Sequence, residues 1–328
     1  MRRDHLSLLC CSECRGSLEL ANSIEDKGGR VETGSLRCAS CQSDYAIVRH
    51  IPRFVSSDNY SAGFGLQWNL HSRTQLDEHT GLPLSEKRFF EESKWPLRLD
   101  GEIVIDAGSG AGRFTSVAAS TGATVLSLDY SDAVDANYAS NGQRDNVLIV
   151  QGDIYKMPFR EADRIFCFGV LQHTPDPRGA FFSLPRHVKV GGSVVADVYV
   201  KSLGRYVLGT KYWVRPVTRR VPPERLYRWT RRYVDAMWPV AKIVRSIPRI
   251  GKTLNWRLLI ADYSHRISDD AILREWAYLD TFDMLSPRYD YPQTLATVRR
   301  WGAEARLVDF KAERCAHGIA MRGRRPVV

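Results

Sequence analysis

Two groups of residues in this chain have types and spacings that could do chemistry. The first is Cys11-Ser12-Glu13-Cys14 together with Cys38-Ala39-Ser40-Cys41. Each C-x2-C pair can present two thiolates from one tight turn, and the two pairs supply four sulfurs for a tetrahedral structural zinc ion. Cys10 neighbours Cys11 and would give a C-x3-C spacing, so the residue that opens the first pair is left open. The second group is Asp106-Ala107-Gly108-Ser109-Gly110-Ala111-Gly112-Arg113, which follows the apolar run Ile103 to Ile105. Glycines at such a place let the backbone approach a ligand lying across a strand end, and the helix start beyond them offers unpaired N–H groups. A dinucleotide fingerprint needs its third glycine three residues after the second, to pack helix on strand around a pyrophosphate. Here that position is Arg113 and the third glycine is Gly112, which favours a ligand without a pyrophosphate.

These groups need elements to hold them. A strand over Ala123 to Leu128 ends in Asp129, 21 residues after Gly108, where a carboxylate can accept from both hydroxyls of a ribose. A strand over Val147 to Val150 leads to Asp153 and Ile154, placed to accept from an adenine amino group and to pack on its ring. A fourth strand, Arg164 to Phe168, ends in Gly169, and a fifth, Gly192 to Val200, follows a helix around Ala180 to Val188. Carboxylates and glycines at successive strand ends define one crevice of an α/β, Rossmann-like sheet. His173, just past the fourth strand, is the best placed general base if the acceptor is a hydroxyl; bracing its own loop is the alternative role. Arg306 to Lys311 and Cys315 to Met321 read as a closing hairpin.

The length of 328 residues, 44% of them hydrophobic, suits one large α/β core with a satellite domain. No run approaches the roughly 18 apolar residues of a membrane-spanning helix. Met1 to His5 is charged and leads into cysteines, with no secretory signal visible, so a cytoplasmic, reducing location is expected. Cys167 and Cys315 stand alone in apolar surroundings and read as core. The net charge of +10 is uneven: residues 201–258 hold 15 Lys or Arg against two acids, an excess of 13, leaving the remainder at −3. That segment is expected to include an amphipathic helix from Pro222 to Ile247, with Leu226, Tyr233, Val234, Met237, Val244 and Ile247 near one face. Tyr206, Tyr212, Trp213, Tyr227, Trp229, Trp238 and Trp256 interleave with its arginines. Such a segment suits an anionic partner, either a membrane surface or RNA, unless it is only a solvated face. Residues 1–55 carry too mild a basic excess for an RNA clamp, which makes nucleic acid the less favoured partner.

Leu8-Leu9-Cys10-Cys11-Ser12-Glu13-Cys14, with Cys38 to Cys41 and Ile51-Pro52-Arg53-Phe54, resembles the small zinc-binding activator subunit of tRNA and protein methyltransferases over residues 6–55. It departs from that family at Cys10. Residues 101–200 resemble the class I S-adenosyl-L-methionine-dependent methyltransferases of type 11. The resemblance implies Gly108, Ser109, Gly110 and Gly112 against the methionine and ribose, Asp129 on the ribose, and Asp153 and Ile154 at the adenine. Asp106 and Gly169 complete the candidate cofactor-binding set. Val170 to Pro177 is similar to the V-L-H-H-x-x-D-P stretch of that family, with Gln172 in the first histidine position. Residues 58–98, with Phe64 and Trp68, resemble a lid extension of bacterial methyltransferases acting on glycans and secondary metabolites. Trp276, Asp280, Tyr289, Asp290 and Tyr291 are similar to acceptor-pocket residues of the same group.

The expected organisation is a zinc ribbon over 1–57, a helical lid over 58–98, a cofactor-binding core over 99–200, a basic helical insertion over 201–260, and acceptor-side elements with the last strands over 261–328. The expected sheet has seven strands. The expected activity is methyl transfer to a small-molecule, glycan or lipid-linked acceptor. An rRNA or tRNA methyltransferase gripping RNA through the ribbon, and a non-catalytic zinc-ribbon scaffold, are the alternatives.

Overall fold

The structure, a computed structural model, describes residues 1–56, 59–202 and 209–327. Tyr206 of the basic segment lies outside the described residues. Eleven strands form one mixed sheet: β1 (Leu18–Glu25), β2 (Val31–Cys38), β3 (Asp44–Val48), β4 (Ile51–Arg53), β5 (Ile103–Ala107), β6 (Thr124–Asp129), β7 (Val147–Gln151), β8 (Ala162–Cys167), β9 (Val188–Val198), β10 (Val308–Cys315) and β11 (Gly318–Arg324). Their order is β1-β2-β3-β4-β7-β6-β5-β8-β9-β11-β10.

The expectation of seven strands is therefore corrected to eleven. The sheet does contain the seven expected strands as a contiguous run from β7 to β10, but the N-terminal strands add four more at the β7 margin. The junction is parallel, pairs Arg53 with Gln151, and is extended by the Phe54 N–H donating to the Gln151 carbonyl at 2.8 Å. Arg53 reinforces it by donating to the Gln151 side chain at 2.7 Å and to Asp135 at 2.8 Å.

Strands β5 to β8 pair in parallel because the chain crosses back over the sheet between them, through α-helices after β5, β6 and β8 and through a connection with a single 3-10 turn, Ile154–Lys156, after β7. The alternation of their side chains divides the core in two. Val104, Val125, Val147, Ile149, Phe166 and Val195 face one cluster, which helices Leu84–Ser93, Arg113–Ser120 and Ala133–Asn141 cover with Phe89, Phe114 and Val134. Ile105, Leu126, Leu148, Val150, Ile165 and Val194 face the other, covered by Phe181 of helix Pro177–Ser183 and Trp301 of helix Leu295–Glu304. Leu9, Leu18, Val31 and Leu36 of the N-terminal region join this second cluster, so the ribbon shares the main core. The closing hairpin is antiparallel as expected, and β11 pairs antiparallel with β9.

The basic segment forms helix Thr210–Thr218 and a long helix, Pro223–Arg245. The extent of the long helix agrees with expectation, and its packed face agrees at Leu226, Val234 and Met237 but not at Tyr233 and Ile247. Leu226, Thr230, Val234, Trp238 and Ala241 are buried, whereas Tyr233 and Ile247 are exposed. Val234, Trp238 and Ala241 pack on Leu273, Trp276 and Ala277 of helix Asp270–Leu285. Leu226 packs on Phe282 and Leu285 beside Leu66 of helix Ala62–Leu70. Among the described residues, no helix is long and apolar enough to cross a membrane.

Candidate functional site

The glycine loop is braced from below by buried polar groups. Thr115 donates to the Asp106 carboxylate at 2.6 Å, while Asn137 donates to Ser109 at 3.1 Å, to Ser127 at 2.8 Å and to Thr115 at 3.2 Å. Asn141 donates to the Gly112 carbonyl at 3.0 Å and to the Asn137 side-chain oxygen at 2.9 Å. Burial pushes Asp106 up to about 7, against the Thr115 hydroxyl, which favours its ionised form. Asp106 thus lies under the loop and fixes its shape. Gly108 and Gly112 have φ of +90° and +87°, and a Cβ would lie 2.3 Å from Val170 at the first and 2.1 Å from Asn137 at the second. Only glycine meets both conditions.

Asp129 closes the loop at the end of β6. One carboxylate oxygen accepts from the Gly110 N–H at 2.8 Å, and the other accepts from the Ser131 N–H at 2.8 Å and its hydroxyl at 2.6 Å. Burial raises its pKa, opposed by those donors. Asp153 follows β7, where one of its oxygens accepts from the Tyr155 N–H at 2.9 Å. Ile154 is packed into the core, 6% exposed. At the end of β8, Gly169 has φ of +75° with no atom within 4 Å of an added Cβ, so its face opens on free space. Its N–H donates to Asp197 at 2.5 Å; Asp197 is in turn paired with Arg88, which also holds Glu92 at 3.0 Å. Asp106, Gly108 to Gly112, Asp129, Asp153 and Gly169 therefore sit at the ends of β5, β6, β7 and β8, four adjacent strands.

The helix Ala62–Leu70 lies over this crevice. The Trp68 indole nitrogen is 3.1 Å from where a Cβ on Gly110 would be, and Asn69 donates to the Asp132 carbonyl at 2.9 Å. Phe64 meets the His173 ring at 5.3 Å between centroids, and Tyr60 stacks on Tyr130 at 5.0 Å. His173 is 8% exposed, its Nδ1 is 3.0 Å from the Tyr289 carbonyl, and Tyr199 meets its ring edge-on. A ring N–H directed at that carbonyl leaves Nε2 with the free lone pair.

Deeper under the helical elements, Tyr263 donates to Asp280. Burial, and then the charge of Asp283, push Asp280 up to about 7, while Arg113 and the Tyr263 hydroxyl oppose the shift. Arg113, which starts the helix after Gly112, lies over the Phe114 ring at 4.4 Å. Burial, and then the neighbouring Arg88, push it down to about 10. Of the acceptor-side candidates, Asp280 and Trp276 meet Tyr263, and the Tyr289 carbonyl meets His173. Trp276 is buried against Tyr263, Asp290 is paired with Lys211 at 3.1 Å, and Tyr291 is exposed. Sequence reasoning missed Tyr263, Arg88 and Asn137, whose roles depend on contacts across more than one element.

The four cysteine sulfurs of Cys11, Cys14, Cys38 and Cys41 lie within 4.8 Å of one another, with Cys11 and Cys41 at 3.5 Å and Cys14 and Cys38 at 3.4 Å. Zinc–sulfur bonds of about 2.3 Å put tetrahedral sulfurs about 3.8 Å apart, so the cluster fits such an ion. Cys10 is outside the cluster: its N–H donates to the Pro158 carbonyl at 2.9 Å, tying the ribbon to the core. Cys167 is buried in the core and Cys315 is half-buried.

Residues 105–196 match the family described as "Methyltransferase domain". The chain is similar to the ubiquinone biosynthesis O-methyltransferase of Methylococcus capsulatus, 26% identical over 148 residues that cover 40% of this chain and 62% of the relative. It is also similar to the enzyme of the same name from Thiobacillus denitrificans, 30% identical over 129 residues, covering 37% and 56%. The chain thus spans less than two thirds of the length of either relative. Among solved structures it is similar to a chain of the complex between the Haloferax volcanii Trm112 methyltransferase activator and a methyltransferase, at a TM-score of 0.44 and 15% identity, covering 83% of this chain and 100% of that one. The matched segment runs from the strand before the glycine loop to the strand that carries Asp197, and this chain carries a methyltransferase domain over residues 105–196.

Proposed function

We propose that the chain is an S-adenosyl-L-methionine-dependent methyltransferase acting on a small-molecule, glycan or lipid-linked acceptor. The observation that carries this reading is the crevice across four strand ends, with glycine backbone at 108–112, a carboxylate at Asp129 and the Trp68 indole laid against Gly110. Gly108, Ser109, Gly110 and Gly112 would hold the methionine and ribose, Asp129 the ribose hydroxyls, and Asp153 the adenine edge beside Ile154, with Asp106 fixing the loop and Gly169 giving room at the fourth strand end. When bound, this cofactor supplies an activated methyl group and its own leaving group.

The protein's part is to align the acceptor, exclude water and take up a proton where the acceptor is a hydroxyl. The helical elements before the core act as the lid, helix Asp270–Leu285 and the buried side of helix Pro223–Arg245 wall the acceptor side, and residues 99–200 hold the cofactor. His173 Nε2 is the base in this reading, with Nδ1 anchored on the Tyr289 carbonyl. Arg113, Tyr263 and Asp280 form the polar wall of the acceptor pocket. The relatives' name, O-methyltransferase, supports an oxygen acceptor. We further assign a structural zinc ion to Cys11, Cys14, Cys38 and Cys41, supported by the mutual approach of their sulfurs.

Two measurements test the reading. Calorimetry with S-adenosylhomocysteine should give heat that Asp129→Ala weakens about 10- to 100-fold, the loss of charged hydrogen bonds to a sugar. Tritium from labelled S-adenosyl-L-methionine should then appear in a small-molecule or lipid fraction of cell material. Binding of NAD in place of the demethylated cofactor sinks the cofactor assignment, and label confined to RNA sinks the acceptor class.

A further inference from the structure

The long helix Pro223–Arg245 and the turn after it carry two apolar stripes, and the fold buries only one; the other is tied to the fold at Tyr233, whose hydroxyl donates to the Leu258 carbonyl. At 100° per residue, the buried set Leu226, Thr230, Val234, Trp238 and Ala241 occupies one side. Trp229, Tyr233, Val240, Ile243 and Ile247 recur at intervals of four, seven, three and four residues and so fall on a second line. All five are exposed, Trp229 at 52% and Ile243 at 70%. A solvated helix face has no reason to hold five large apolar side chains in register over about 27 Å.

The charges around this stripe differ from one flank to the other. On the flank toward helix Asp270–Leu285, the cations are engaged: Lys242 with Asp270 at 2.8 Å, Arg245 with Asp262 at 3.7 Å, and Arg231 over the Tyr278 ring. On the opposite flank, Arg225, Arg228 and Arg232 border the stripe, and their side chains make no ion pair or hydrogen bond among the described residues. The neighbouring helix Thr210–Thr218 adds Trp213 and Val217, one turn apart and both exposed. Unpaired arginines beside a continuous apolar line match an interface that is anionic at its surface and hydrocarbon beneath it, since guanidinium groups can stay at headgroup level while their stems follow the apolar side chains inward. RNA is a poorer match, because the half of the stripe formed by Val240, Ile243 and Ile247 is aliphatic and can neither stack on a base nor bond to it.

We propose that this face docks on an anionic lipid bilayer, with helix Pro223–Arg245 lying in the headgroup plane, its second stripe toward the acyl chains and Arg225, Arg228 and Arg232 on the lipid phosphates. The proposal goes beyond the methyltransferase reading and stands or falls independently of it, because none of these residues belongs to the cofactor crevice.

The test is flotation of the full chain with vesicles of phosphatidylcholine alone or mixed with phosphatidylglycerol. The protein should float with the mixed vesicles and not with the zwitterionic ones. Arg228→Glu with Arg232→Glu should weaken the partition at least 25-fold, at about fivefold for each cation lost from the surface. Trp229→Ser with Ile243→Ser should weaken it at least tenfold at constant charge. Both pairs are exposed, so circular dichroism and the heat of cofactor binding should match the parent. As a second readout, brominated lipids should quench the fluorescence that Trp229→Phe removes. Absence of flotation, or flotation insensitive to both double variants, overturns the proposal. So does a dimer in light scattering that Ile243→Ser dissociates, since a second copy would then be what covers the stripe.

Discussion

Asp106 shows how a residue can look like a ligand in the sequence and serve as a foundation in the fold. It precedes the glycine loop, and its position alone places it at a strand end facing a cofactor. In the structure it is 2% exposed and receives the Thr115 hydroxyl beneath the loop. This has a pH consequence. A carboxyl held up to about 7 in the folded state and near 3.8 when unfolded binds more protons when folded across that interval. Its contribution is therefore complete below about pH 4 and is lost as pH rises through about 7, by an amount on the order of a few kcal/mol. Asp106→Asn should flatten the decline in unfolding free energy between pH 5 and pH 7.5 measured with urea, and an unchanged slope would show that Asp106 is ionised in the fold. Glu92 and Asp280, both also pushed up to about 7, leave a residual slope in the variant. None of this was legible in the sequence, because Asn137, Ser127 and Thr115 carry no signal until two helices and a strand bring them together. The glycines were legible, since a positive φ and a close neighbour leave few other residues that fit.

At the scale of elements, the strands were readable because each is a short apolar run ended by glycine, aspartate or a helix start. The insertion helix was readable in extent but only partly in orientation. Its sequence superposes two apolar stripes about one third of a turn apart, and a single periodicity cannot say which of them faces the core. The segment proposed as the lid was legible only as a cluster of aromatics, and the structure adds what Trp68 touches. With its indole against Gly110, this side chain covers the backbone expected to carry the cofactor. Trp68→Ala should weaken S-adenosylhomocysteine binding about tenfold while leaving the midpoint of thermal unfolding within a few degrees, and Trp68→Phe should recover most of the affinity. Calorimetry on the three proteins checks this, and an equal loss in the phenylalanine variant would assign the effect to the indole N–H instead of the cover.

At the scale of the molecule, the ribbon is a structural part of the main sheet. Its two cysteine pairs were plain in the sequence, whereas its junction was not, because the pairing of Arg53 with Gln151 joins positions 98 residues apart through one ladder step. Leu9, Leu18 and Leu36 share a cluster with Leu148 and Val150, so folding of the two regions is coupled. Removing zinc with a chelator should lower the one unfolding transition by about 10 °C or more, and Cys38→Ser should do the same without chelator. Scanning calorimetry that instead shows a small early peak and an unmoved main peak would separate the ribbon from the core.

The same junction bears on what happens if the first 54 residues are cut away. Val147–Gln151 would become the outermost strand of the sheet, with five core-facing residues and no proline or charge to discourage another chain from adding to it. The N-terminal strands thus act as a bumper on a sticky rim, and a fragment trimmed to the methyltransferase domain alone would be prone to self-association whatever its catalytic competence.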